Sequence, residues 1–143
     1  MTPKRPDRLQ LLERELTGEI IGAFYECYNV LGFGFLESVY RRALATELQS
    51  RGHHCAQEGL IEVTYKGVNV GAYRFDLLVD DRVIVEAKAG EVLGPTDRRQ
   101  VLNYLRATRI EVGLLLHFGP EPRFLRCVHQ NISTEEESAT SGL

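Results

Sequence analysis

At 143 residues, 43% hydrophobic and 26% charged, the chain has the composition of a soluble globular protein and can bury one continuous core without a disulfide or a structural metal. The formal net charge of −3 excludes coating nucleic acid by bulk electrostatics, and no apolar run approaches the roughly 20 residues that span a bilayer, so no membrane role is expected. Cys27, Cys55 and Cys127 are odd in number and far apart, and neither Cys127-x-His129 nor His53-His54-Cys55 has the paired spacing of a structural zinc site, so reduced thiols in a cytoplasmic protein are the expectation.

Basic residues near the start are not followed by an apolar signal core, because Glu13, Arg14 and Glu15 interrupt it. Over residues 9–31, Leu12, Leu16, Ile20, Ala23, Phe24, Cys27 and Val30 recur at three- and four-residue intervals, which predicts an amphipathic helix ended by Gly32 and Gly34. A second helix is predicted over 35–51, with Leu36, Val39, Tyr40, Ala43, Leu44 and Leu48 on one face and Gly52 as its stop. The pattern then changes to β-branched and aromatic residues over 61–65, 70–79 and 83–87, with turns at Lys66-Gly67 and Asp80-Asp81, which predicts an antiparallel three-stranded meander. After Gly94-Pro95 a crossover helix is expected over 96–107, with Thr96 as N-cap and Asp97 in its first turn. Residues 112–118 are continuously apolar and fit a strand buried on both faces, parallel to the one before the helix, and 123–128 add an edge strand. Residues 131–143 have no apolar periodicity and read as a disordered tail, leaving 1–130 as a single domain.

Strand alternation puts Ile84, Glu86 and Lys88 on one face and Val83, Val85 and Ala87 on the other. A carboxylate and an ammonium near a core cost several kcal/mol each unless they are paired or bind an ion. Whether Asp76 joins them depends on hairpin register. A two-residue turn at Asp80-Asp81 would oppose Asp76 to Val85 and send its carboxylate away, whereas a three-residue turn through Arg82, or one bulge, opposes it to Glu86 on the same face. In that second register Asp76, Glu86 and a backbone carbonyl, that of Ala87, make a hard-oxygen set suited to Mg²⁺ or Mn²⁺, with Lys88 available to orient water or neutralise charge. The competing reading is an ordinary ion pair between Lys88 and Glu86 or Asp76. Earlier in the chain, Gly34-x-x-Glu37-x-x-Tyr40 puts Glu37 and Tyr40 on one helix face, although a dipole-favoured Glu37 and a core Tyr40 explain them equally well.

Taken in order, Gly34-x-x-Glu37-x-x-Tyr40, Tyr73-Arg74-Phe75-Asp76-Leu77-Leu78-Val79, Ile84-Val85-Glu86-Ala87-Lys88-Ala89 and Gln100-Val101-Leu102-Asn103-Tyr104-Leu105 resemble the bacterial GxxExxY protein family, grouped with the PD-(D/E)XK nucleases. The resemblance implies an α/β, restriction-endonuclease-like fold, in which helices flank a mixed sheet, and Mg²⁺-dependent (or Mn²⁺-dependent) phosphodiester chemistry. It makes Asp76 and Glu86 metal ligands and Lys88 the catalytic lysine, matches Glu37 to the helix carboxylate that completes the metal shell in resolvase-like and RecB-like members, and matches Gln100 to a glutamine on the helix after the Glu-x-Lys strand. Two departures stand out. The histidine that relatives carry a few residues before that glutamine has no counterpart in Thr96-Asp97-Arg98-Arg99, and Phe75 replaces the proline that gives the superfamily its name.

For substrate grip the candidates are Arg98, Arg99, Arg106 and Arg109 on or after the crossover helix, Arg41 and Arg42 behind Glu37, and the aromatic Tyr40 and Tyr104, with a solvated helix surface as the alternative for the arginines. No recognition helix or zinc finger is present, so the expected partner is nucleic acid, DNA before RNA, gripped through its backbone by a chain that a homodimer would suit. The leading expectation is a metal-dependent nuclease. Its rival is a nuclease-fold module that binds nucleic acid or protein without robust catalysis.

Overall fold

The computed structural model describes residues 8–130, so the expected disordered tail lies outside the described residues. The first predicted helix is two: α1 (Arg8–Leu11) and α2 (Arg14–Leu31). The break falls at Glu13, whose φ of 52° is left-handed, and tertiary contacts account for it: the Arg126 guanidinium donates to the Leu12 carbonyl, and Arg82 meets the Glu13 carboxylate at 3.3 Å. α3 (Glu37–Ser50) follows the predicted glycine stop and buries Tyr40, Leu44, Ala45 and Leu48, while Leu36 stays outside it and exposed.

Seven strands follow: β1 (Cys55–Gln57), β2 (Leu60–Tyr65), β3 (Val68–Arg74), β4 (Leu77–Val79), β5 (Val83–Ala89), β6 (Val112–Phe118) and β7 (Pro122–Val128), with α4 (Pro95–Arg106) between β5 and β6. β1, β4, β5, β6 and β7 form one sheet in that order, antiparallel except for the parallel β5–β6 pair that α4 connects. The expected helix-flanked mixed sheet is therefore present, with β6 buried along its whole length.

The three-stranded meander is not. The predicted strand over 70–79 splits into β3 and β4, and β2 and β3 form a separate two-stranded ribbon. The split has a physical cause at Phe75-Asp76. Phe75 donates its N–H to Gly59 and buries its ring against that glycine so closely that a Cβ at Gly59 would lie 2.1 Å from it. Asp76 then gives its own N–H to a side chain of β5 instead of to a strand. β1, too short to carry a periodic signal, was not anticipated. It pairs with β4 at the sheet edge.

Two cores sandwich the sheet. Val83, Val85 and Ala87 of β5 pack with α2 and α3, where Tyr40 stacks on Phe118 at 4.2 Å. Ile84 and Leu115 pack with Val101, Tyr104 and Leu105 of α4, with Ile61 of the ribbon and with Phe75 just beyond it. The alternation read from the sequence thus holds, and the odd face of β5 is wholly apolar while the even face carries Glu86 and Lys88. α4 starts one residue earlier than expected. Gly94 rather than Thr96 is its N-cap, Pro95 takes the first turn where its missing N–H costs nothing, and the Asp97 carboxylate accepts the Gly94 N–H at 2.9 Å. Among the described residues no helix is long and apolar enough to cross a membrane.

Candidate active site

The β4–β5 register decides whether the two expected carboxylates meet. Asp80 and Asp81 are both left-handed, Arg82 donates to the Val79 carbonyl at 3.0 Å, and Val79 pairs with Val83, so three residues make the loop and Arg82 is the extra one. Leu77 opposes Val85, and the next position back, Asp76, comes to Glu86. The two residues are tied reciprocally: the Asp76 N–H donates to Glu86 Oε1 at 2.9 Å, and the Ala87 N–H donates to Asp76 Oδ2 at 2.8 Å. Pairing with β4 begins only at Val85, so beyond it that edge of β5 is open to Asp76. In a strand the N–H and carbonyl of one residue point the same way, so the Ala87 carbonyl faces the same gap.

Burial dominates the electrostatics. Glu86 is only 3% exposed, and burial together with the Asp76 charge pushes its carboxyl up to about 7, against the opposing hydrogen bond from Asp76 and the charge of Lys88. Glu37, in the first turn of α3, is near enough to add a small push in the same direction, although its own side chain is exposed. Asp76 is also raised, by burial, with the Ala87 N–H and the charges of Lys88 and Arg41 working against it. Lys88 Nζ lies 3.9 Å from Glu86 Oε2 and 4.0 Å from Asp97 Oδ1, an ion pair within the half-buried interior of the site. Asp97, read from sequence as a helix-start charge, thus does two things at once. Its signal was its place in the first turn after Gly94-Pro95, which identifies a helix-start charge but not a lysine partner.

The expected oxygen donors suit a hard divalent cation, since two carboxylates that each resist ionisation would be relieved by a dication between them. Among the described residues no group of three or more His, Cys, Asp or Glu is drawn together tightly enough to hold a metal, so Glu37 remains outside the pair. On α4, Gln100 Nε2 donates to the Tyr104 hydroxyl at 2.7 Å, and that hydroxyl donates to the Arg74 carbonyl at 3.1 Å. Gln100 therefore braces the end of β3 one residue before Phe75-Asp76.

Two aromatic expectations need correction. Tyr40 is fully buried, its hydroxyl donating to the Gly32 carbonyl at 2.5 Å and accepting from Phe35 N–H, so it holds the glycine turn before Glu37 and has no face for nucleic acid. Tyr104 is 3% exposed, with its hydroxyl already engaged. The basic cluster is divided. Arg98 reaches the Cys127 thiol, whereas Arg99 and Arg106 line recesses beside Tyr104, and Arg41 pairs with Glu58 at 3.2 Å next to Asp76. A recess of about 850 Å³ between Tyr25, Leu93, His117 and Phe124 contains none of the expected site residues.

The family model described as the PD-(D/E)XK nuclease superfamily matches residues 14–127. The chain belongs to the PD-(D/E)XK nuclease superfamily. The match runs from the start of α2 to the last-but-one residue of β7, so every element around the carboxylate pair lies inside it. No curated protein and no solved structure gives a match. Membership in this superfamily implies nucleic acid as the substrate and phosphodiester hydrolysis as the chemistry. In this PD-(D/E)XK protein the proline position is Phe75, whose ring under Gly59 anchors the crossing from ribbon to sheet.

Proposed function

We propose that the chain is a divalent-metal-dependent nuclease that hydrolyses phosphodiester bonds in DNA, and that it belongs to the GxxExxY branch. The observation that carries this is the register of β4 and β5, which brings Asp76 and Glu86 together in a half-buried site where neither charge is fully compensated. Asp76, Glu86 and the Ala87 carbonyl would hold Mg²⁺ or Mn²⁺, with Glu37 turning in from α3. A divalent cation bound there supplies Lewis-acid stabilisation of the phosphate and a more acidic water. Lys88, kept between Glu86 and Asp97, would orient the attacking water or neutralise charge as the water oxygen bonds to phosphorus and the bond to the leaving oxygen breaks, the leaving oxygen taking up a proton from solvent. Gln100 acts on the site as a positioning residue, through Tyr104 and the Arg74 carbonyl.

A binding module without catalysis is favoured by one fact, the absence of a third carboxylate from the pair among the described residues. Calorimetric titration with Mn²⁺ and Mg²⁺ separates the two readings. One binding event on the wild type, lost in Asp76→Ala and accompanied by cleavage of duplex, flap, four-way junction or single-stranded DNA, supports the nuclease. Absence of binding, or binding unchanged in Asp76→Ala, removes it.

A further inference from the structure

The β2–β3 ribbon leaves the main sheet and stands over α4, and its cross-strand pair Ile61–Tyr73 faces the helix. Ile61 is buried there, but Tyr73 is 55% exposed, its ring 6.0 Å from that of Tyr104. On either side of Tyr73 lie two recesses that share Tyr73, Asn103 and Tyr104. One, about 360 Å³, reaches Thr64 and Arg106, and the other, about 350 Å³, reaches Thr96, Arg99 and Gln100. Together they make one groove between ribbon and helix with an arginine toward each end. Each end also has one acid, Glu62 in the first recess and Asp97 in the second, and Asp97 is the residue that faces Lys88. The second recess therefore borders the candidate active site through Asp97, although Asp76, Glu86 and Lys88 do not line it.

We infer that this groove receives an unpaired nucleotide of the substrate, its base stacked on Tyr73 and its flanking phosphates met by Arg99 and Arg106. The chemistry selects the occupant. An exposed aromatic ring between two guanidinium groups matches alternating base and phosphate, with Asn103 offering an amide to a base edge. A duplex keeps its base faces stacked inside and shows only edges in its grooves, so it has no ring face to give Tyr73. Each recess also matches the size of a small-ligand site and is too small to admit a double helix. The inference rests on the nuclease reading for the nature of the partner and adds to it a preference for substrates with an unpaired nucleotide beside the scissile bond.

The test compares wild type, Tyr73→Ala and Tyr73→Phe on single-stranded DNA, a duplex with a single-stranded overhang and a blunt duplex, with a fluorescent adenine analogue at the unpaired position. Binding is read by anisotropy in EDTA and cleavage in Mg²⁺. Because Tyr73 is more than half exposed, thermal melting should show both variants folded. Tyr73→Ala is expected to bind single-stranded and overhang DNA about tenfold more weakly, with Tyr73→Phe near wild type, blunt-duplex binding unchanged and the analogue's quenching lost only in the alanine variant. Equal loss on the blunt duplex, or no loss anywhere, overturns the inference. A dimer that Tyr73→Ala splits without changing DNA affinity also overturns it, and gives the face to a second copy of the chain. The two readings fail separately. Blunt-duplex cleavage that survives in a Tyr73→Ala protein with unaltered binding sinks the groove and keeps the nuclease, whereas Tyr73-dependent binding by a wild type that cleaves nothing keeps the groove and sinks the nuclease.

Discussion

The β4–β5 hairpin carries acidic side chains at both ends, and the protein treats them in opposite ways. At the turn, Asp80 has every oxygen occupied: Oδ2 meets His53 Nδ1 at 2.6 Å and Oδ1 accepts the His54 N–H at 2.8 Å, while the other nitrogen of His53 faces Glu19 at 2.9 Å. Burial works against Asp80, but the hydrogen bonds from His53 and His54 and the charges of His53 and Arg82 outweigh it and hold the carboxyl below its usual range. At the open end, Asp76 just before β4 and Glu86 on β5 are pushed the other way. A compensated carboxylate fastens the hairpin to α2 and to the segment before β1. An under-compensated pair is held, among the described residues, by two backbone N–H groups and the charges of Lys88 and Arg41, which do not outweigh its burial, and it would gain from an added cation. That difference separates a charge fixed in the structure from a pair left free to bind a cation more sharply than burial alone does.

The contrast can be broken from either end. The largest effect is expected from Glu86→Gln, which should lower cleavage in Mg²⁺ by about 10³-fold while leaving the metal-free melting temperature unchanged or higher. Loss of both activity and metal-free stability would mean that Glu86 is structural. Next comes pH. Because the folded Glu86 binds its proton up to about 7 and the unfolded chain only up to about 4.5, stabilisation from this group is present below 4.5 and lost as pH rises through 7. In EDTA, denaturant titrations should show about 3 kcal/mol lost over that window from Glu86, with the slope reduced to the part that Asp76 contributes in Glu86→Gln and flattened by Mg²⁺. Asp80 has the opposite sign. Its contribution is present above 3.8 and disappears as pH falls through its lower folded value, so acid unfolding should begin at the turn.

Cutting the compensated end should cost stability and spare chemistry. His53→Ala removes the bridge between Asp80 and Glu19 and is expected to destabilise by about 2 kcal/mol in urea, with cleavage per folded molecule unchanged. Smallest is Tyr104→Phe, which deletes the hydroxyl linking Gln100 to Arg74. It should cost about 1 kcal/mol, and a drop in cleavage without a change in metal affinity would mark the pair as positioning residues.

Much of the fold was legible because its signals are local. The period of α3, the apolar run of β6 and the alternation of β5 each follow from side chains within a few residues of one another. What was missed came from contacts distant in sequence. The break at Glu13 depends on Arg126 and Arg82, and the split of the expected strand depends on Phe75 meeting Gly59 and Asp76 meeting Glu86. For Tyr40 and Tyr104 the sequence leaves a core position and a nucleic-acid contact both open, because a helical pattern does not say which side of a sheet the helix will cover. Asp97 was legible as a first-turn charge, but its approach to Lys88 required α4 to be laid against β5.

The sequence by itself determined that a carboxylate and a lysine interrupt one face of a strand otherwise fit for a core, and that Asp76 can join them only through an odd loop or a bulge. Tertiary structure decided the rest. It chose the three-residue loop, because two left-handed aspartates and one further residue close the turn while Asp80 is anchored to His53. It also decided how strongly Asp76 and Glu86 resist ionisation, because desolvation depends on what α4, the ribbon and β6 place around them, and no local pattern carries that information.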